Sequence, residues 1–235
     1  IRKYKDKDKL YDYLEANVLS NLKTCVFLDE IQEVENFEQI VNSLHATKDV
    51  DIYLTGSNSK MLSGEYATLL TGRYKSFKVF PFSYKELLEY HQSKSKKEVF
   101  NEFIKYGGFP IIQGFDTEDQ KRSILINLYD SVVIKDIVKR HNISGVDALD
   151  KYISYLLNTV SSTFSAKNII NYFKNEGRVI SKETLYNYIS HAKEVLLIYS
   201  AQRYDLKGKK LLTTNEKYFV NDQGLRATRF NNESD

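Results

Sequence analysis

Two short apolar runs, Thr24-Cys-Val-Phe-Leu28 and Asp51-Ile-Tyr-Leu-Thr55, enclose a stretch in which Val34, Phe37, Ile40, Val41 and Leu44 recur at helical spacing. Strand, helix and strand within about thirty residues make a βαβ unit, so the two strands are expected to run parallel through a right-handed crossover. A short, continuous, β-branched and aromatic run such as Thr24–Leu28 reads as a strand buried on both faces inside a parallel sheet. Cys25 lies within it and is expected to be core filler rather than a nucleophile. With one cysteine in 235 residues an internal disulfide is impossible, which fits a reducing, cytoplasmic location.

Around this unit the pattern is helical. Leu10, Leu14, Val18 and Leu22 form an i+4 row ahead of the first run. After the second, Phe77-Lys-Val-Phe80 reads as another short strand. Ser83, with Glu86 three residues on, has the capping-box spacing for a helix over Tyr84–His91. Ser93–Lys97 is a surface connection, and Gly107-Gly108-Phe109-Pro110 breaks the helices. A long helix is expected over Thr117–Lys139, then helices over Asp147–Val160, Ser165–Lys174 and Lys182–Ile198. Ser165 and Ser181 are candidate N-caps, and Gly177 stands where a helix-ending turn belongs. The segments Leu197–Arg203 and Lys210–Val220, flanking Lys207-Gly208-Lys209, form a hairpin with glycine at its tip. Short helices followed by a basic-tipped hairpin is winged-helix order.

The strongest chemical signal is Leu28-Asp29-Glu30. Ligands of parallel sheets bind outside the carboxyl ends of the strands. An Asp there can hold Mg²⁺ through water, and an adjacent Glu can polarise an attacking water. The alternative is an acidic cap on the next helix. Thr55-Gly56-Ser57-Asn58 starts where the neighbouring strand ends, so its polar groups belong beside Asp29 and Glu30, unless it is a plain turn.

Five blocks in order carry a resemblance: Val26-Phe-Leu-Asp-Glu-Ile-Gln32, Tyr53–Leu62, Leu70-Thr-Gly-Arg73, Phe80-Pro-Phe-Ser83 with Glu86, and Tyr106-Gly-Gly-Phe-Pro110. Together they resemble a family of prokaryotic AAA+ ATPases whose members pair a P-loop domain with a carboxy-terminal domain of unknown function. Tyr218–Arg226 resembles a further block of that second domain. The resemblance implies that Asp29 is the Walker B ligand of Mg²⁺, that Glu30 activates water, and that Ser57 or Asn58 senses the γ-phosphate of ATP. Arg73 follows a glycine and would act as an arginine finger or form a structural ion pair. The Tyr106–Pro110 block would be a structural elbow between the domains.

The P-loop pattern Gly-x-x-x-x-Gly-Lys-Ser/Thr does not occur in these residues; Lys207-Gly208-Lys209-Lys210 has the wrong spacing and lacks the hydroxyl. In the family that loop precedes the first residue seen here. The sequence opens at Ile1 without an initiator methionine and stops at Asp235 without a closing element. It is therefore expected to be an internal piece of a longer protein, and the resemblance implies a nuclease-like region beyond Asp235. A base and an arginine finger multiply a bound state, which the missing cradle would have to provide, so the piece alone is expected not to hydrolyse ATP.

The expected class is α/β followed by mainly α: a partial P-loop-NTPase-like parallel sheet with helices, then a helical, winged-helix domain. The divisions are 1–92 for the back of an AAA+ core, 93–145 for a helical lid or connector, and 146–235 for the winged helix, truncated at its C-terminal end. The net charge of +3 is too small to imply nucleic acid by itself, so only local clusters point there. Candidate DNA contacts are Asn187 and His191, four apart on the presumed recognition helix, and Arg203, Lys207, Lys209 and Lys210 on the wing. Equally, the module would dock a protein client or a second copy. No apolar run approaches the ~18 residues of a membrane span. Lysine far outnumbers arginine, and Tyr, Asn and Ile are abundant, as an AT-rich bacterial genome would encode. The leading reading is an ATP-driven switch coupled to the winged helix. The alternative is a non-enzymatic DNA- or protein-binding module on a degenerate NTPase scaffold.

Overall fold

The computed structural model describes residues 4–18, 22–56, 70, 74–205 and 210–229. The chain divides into two compact units, residues 1–78 and 79–235.

In the first unit, Asp6 caps helix α1 (Lys7–Asn17), which buries Leu10 and Leu14. Strand β1 (Thr24–Leu28), helix α2 (Phe37–Thr47) and strand β2 (Val50–Leu54) then form the expected βαβ unit. The strands pair in parallel, with Thr24 opposite Val50 and Leu28 opposite Leu54. Helix α2 turns Phe37, Ile40, Val41 and Leu44 inward, and they close one core with Leu10, Leu14, Val26, Leu28 and Val50.

Three sequence expectations fail here. Strand β1 is buried on one face only: Val26 and Leu28 are inside, whereas Phe27 is 72% exposed and Cys25 is exposed rather than core filler. The cause is the period-2 pleat, which sends Cys25 and Phe27 to the face opposite the helices. There Phe27 stacks on its cross-strand partner Tyr53, ring centroids 4.8 Å apart. Phe77–Phe80 forms no strand; Phe77, Val79 and Phe80 are exposed. A strand needs a ladder partner, and none pairs with this segment among the described residues.

The second unit is mainly helical. Ser83 and Glu86 make both bonds of the capping box that starts α3 (Tyr84–Tyr90), and Ser95 with Glu98 repeats the device for α4 (Lys96–Tyr106). Gly107, at φ 73°, ends α4. The long helix expected over Thr117–Lys139 is interrupted. Helix α5 (Glu118–Leu128) widens into a π-helical stretch over Tyr129–Lys135 before α6 (Asp136–His141). The widened turns place Tyr129 wholly inside, its hydroxyl donating to Asp150 Oδ1 at 2.9 Å.

Helices α7 (Val146–Asn158), α8 (Ala166–Asn175) and α9 (Lys182–Glu194) follow, then the antiparallel pair β3 (Ile198–Asp205) and β4 (Lys210–Val220) and the short helix α10 (Gln223–Ala227). Ser165 and Ser181 cap α8 and α9 as expected, and Gly177 takes a left-handed turn at φ 75°. Helix α9 ends at Glu194, four residues before its expected limit, because Ile198 already belongs to β3. Residues 161–164 add a third, very short rung: Ser161 and Phe164 donate to the carbonyls of Tyr218 and Glu216, and Thr163 bridges Lys217. Leu149, Tyr152, Ile153, Leu156, Leu185, Ile189 and Tyr218 centre the core. Among the described residues no helix is long and apolar enough to cross a membrane.

Candidate nucleotide site at the strand ends

The carboxyl ends of β1 and β2 are locked together by the polar residues that follow them. The Thr55 amide donates to the Leu28 carbonyl at 3.0 Å, continuing the parallel ladder by one residue. The Ile31 amide returns to the Thr55 carbonyl at 3.1 Å. Between these bonds the Thr55 hydroxyl donates to Asp29 Oδ1 and accepts the Glu30 amide at 3.2 Å. Asp29, Glu30 and Thr55 are all exposed, so two carboxylates and a hydroxyl gather at one open end of the sheet.

Glu30 holds this arrangement in an uncommon backbone conformation. Its φ of 54° lies in the left-handed region, which turns the chain sharply off β1 into the 3₁₀ turn Ile31–Glu33. For a residue other than glycine such a conformation costs about 1 kcal/mol or more, and side chains that bear it concentrate at functional sites. The Glu30 carboxylate accepts from the Gln32 side-chain amide, while buried Ile31 anchors the turn in the core.

Chemically the cluster offers hard oxygen ligands and a carboxylate aimed away from the core. An exposed Asp fixed by one oxygen to a hydroxyl suits water-mediated Mg²⁺, which keeps most of its hydration shell. Ser57, Asn58 and Arg73 lie outside the described residues.

The other expected contacts lie in the second unit. Asn187 is exposed on α9, but His191 is half-buried, its ring stacked on His141 with centroids 3.4 Å apart. Lys207 and Lys209 lie outside the described residues. Arg203 and Lys210 are placed by backbone in β3 and β4, and their side chains are not described.

One constellation has no local mark in the sequence. The Asp222 carboxylate is buried, accepts the Gly108 amide at 2.7 Å and caps α10 through the Leu225 amide at 3.2 Å. Burial pushes this carboxyl above the ordinary range, against the backbone N–H groups of Gly108, Leu225 and Gly224 that favour its charge. The block at Tyr106–Pro110 thus meets the block at Tyr218–Arg226. A Cβ on Gly108 would stand 1.9 Å from the Phe82 carbonyl oxygen, and one on Gly224 2.2 Å from that of Tyr106. Gly107 and Gly108 were legible as sites of tight geometry; the carboxylate that Gly108 serves, 114 residues away, was not.

Residues 1–88 match the model of an AAA domain, and residues 97–235 match that of a domain of unknown function, DUF8612. An uncharacterised protein of Haemophilus influenzae is 37% identical over 94% of this chain and 56% of its own length. Another, of Methanocaldococcus jannaschii, is 34% identical over 87% of this chain and 48% of its own. The chain therefore spans about half the length of these relatives. Among solved structures, the Walker-type ATPase PABY2304 of Pyrococcus abyssi superposes with a TM-score of 0.54 at 15% identity, covering 94% of this chain and 66% of that one. At that identity the likeness is one of fold.

Proposed function

As the chain belongs to an AAA-like NTPase family with a carboxy-terminal domain of unknown function, we propose that it supplies the Walker B and sensor strands of an ATP-hydrolysing switch. The observation that carries this reading is the bonded trio Asp29, Thr55 and Glu30 at the carboxyl ends of adjacent parallel strands. In it Asp29 would hold Mg²⁺ through its water shell, and Thr55 fixes the carboxylate. Glu30 takes a proton from the attacking water, and Ser57 or Asn58 reads the γ-phosphate. Arg73 contacts that phosphate in its own subunit or a neighbour's, or pairs with a structural carboxylate. Asp29 would hold Mg²⁺ there for charge neutralisation on a triphosphate, whose cradle would come from a P-loop outside residues 1–235.

The test is ATP turnover by the full-length protein. Glu30→Gln keeps size and hydrogen bonding but removes the base, and is expected to lower turnover by about 10²–10⁴-fold with nucleotide binding retained. Equal turnover in both proteins would remove Glu30 from the mechanism.

Residues 146–235 are read as a winged helix that the switch presents to DNA or to a protein. In support, α7, α8 and α9 precede a hairpin joined by the Thr163 rung. DNA would meet α9 through Asn187 and the wing through Arg203, Lys207, Lys209 and Lys210. Neutralising the wing lysines is then expected to flatten the salt dependence of DNA binding. The other reading, a non-enzymatic binding module on a degenerate scaffold, predicts no turnover in the full-length protein and unchanged DNA or protein binding in Glu30→Gln.

A further inference from the structure

Among the described residues, His141, His191 and Glu194 are the group of three histidine, cysteine or acidic residues whose ligand atoms gather, all within 4.8 Å of one another. His141 is the last residue of α6, followed by Asn142 in a left-handed turn at φ 48°. His191 and Glu194 sit three apart in the last turn of α9, on one helical face. All three are half-buried. His141 Nε2 lies 3.1 Å from Glu194 Oε2, and the two imidazoles stack with an interplanar angle of 20°. His191 Nδ1 is buried with no hydrogen-bond partner among the described residues. A buried ring nitrogen without a partner is costly, and in the tautomer that leaves it unprotonated its lone pair is free to ligate a metal.

We propose that His141, His191 and Glu194 form a binding site for a divalent transition-metal cation of the zinc type, clamping the end of α6 to the last turn of α9. Two imidazoles and one carboxylate are a borderline-soft ligand set that suits Zn²⁺ and disfavours Mg²⁺ or Ca²⁺, which take oxygen donors. Tetrahedral Zn²⁺ with bonds of about 2.0–2.2 Å holds its ligand atoms roughly 3.3 Å apart. The His141–Glu194 separation already matches, and the metal takes the place of the proton between those two atoms. Rotation of the His191 side chain brings in the third ligand. The Ser190 hydroxyl, 3.5 Å from Glu194 Oε1, steadies the carboxylate from outside. Lys193 is drawn off to Glu216, at 3.7 Å, and to the Tyr218 ring, so its charge is engaged elsewhere. Burial and the neighbouring His141 also push the His191 pKa down, which favours the neutral, ligating imidazole. Three protein ligands leave a fourth position for water, and this site is independent of any nucleotide.

The experiment is titration of the metal-free 235-residue chain with Zn²⁺ and, separately, Co²⁺. One Zn²⁺ per chain should bind with Kd of about one micromolar or tighter, raising the melting temperature reversibly with EDTA. Co²⁺ should give the visible absorption of a tetrahedral nitrogen and oxygen site. His141→Asn, His191→Asn and Glu194→Gln should each weaken binding by at least about tenfold. A double variant of the remaining histidines, His45→Asn with His91→Asn, should bind as the parent does. The proposal is overturned if binding is weaker than stoichiometric, if it survives all three ligand variants, or if it disappears in the His45 and His91 double variant. The Co²⁺ spectrum of the unaltered chain decides the matter even where a ligand variant fails to fold.

Discussion

Gly108 leaves no room for a side chain: its backbone pairs with Phe82, whose amide donates to the Gly108 carbonyl at 2.8 Å, and its own amide serves Asp222. Replacing it with alanine forces a Cβ against a carbonyl oxygen, a clash expected to cost about 3 kcal/mol or more, measurable by urea denaturation. Asp222→Ala leaves the Gly108 and Leu225 amides unpaired and is expected to cost about 2–4 kcal/mol by the same measurement. Asp222→Asn isolates the charge. A carboxyl whose folded pKa is raised holds its proton more tightly in the folded state, so its contribution falls as pH rises from the ordinary value of 3.8 through the raised one. The parent chain is therefore expected to lose stability relative to Asp222→Asn as pH increases through that window, and to run parallel to it above. At the strand ends Thr55 plays the matching part. Thr55→Val keeps the shape and removes the hydroxyl that joins Asp29 to the Glu30 amide. Loss of turnover in the full-length protein with folding retained is the expected result, and unchanged turnover would remove Thr55 from the site.

Strand β1 shows how far a pattern carries at the level of one element. Its apolar run was readable as a strand, and its parallel pairing with β2 followed from the helix between them. Continuity of the run suggested burial on both faces, yet only Val26 and Leu28 are inside. Leu28→Ala is expected to cost about 2–4 kcal/mol. Phe27→Thr, on the open face, is expected to cost less than about 1 kcal/mol, mostly the lost cross-strand pair with Tyr53. Comparable losses in the two urea titrations would mean that the outer face is packed as well. Among the helices, caps were the most legible feature: Ser83, Ser165 and Ser181 all bond the amide that local spacing assigns to them, whereas Ser95 caps α4 inside the stretch Ser93–Lys97 that reads as a surface connection. The π-helical widening at Tyr129–Lys135 had no such local mark. Its buried residue is held by tertiary partners, with the Tyr129 hydroxyl on Asp150 and the Arg229 guanidinium over the Tyr129 ring at 4.7 Å.

At the scale of the whole chain, the first unit has one core drawn from residues 10–70, and the second has a main core drawn from residues 129–225 with a smaller cluster of Tyr106, Ile112 and Leu125. A polypeptide of residues 79–235 keeps every member of the second core and is expected to fold alone, with cooperative thermal unfolding and helical circular dichroism. A non-cooperative melt would show that it depends on the first unit. By itself the sequence determined what depends on neighbours along the chain: helix caps, apolar periodicity, the βαβ order and the acidic pair after β1. Hydrogen bonds within a turn and side chains one turn apart are set by spacing, so spacing reveals them. Only the tertiary structure decided which strand face is covered, that Asp222 answers Gly108, and that His141 meets His191 and Glu194. Those contacts join residues up to 114 positions apart, and their energy comes from burial and paired polar groups that exist only once the chain has closed on itself.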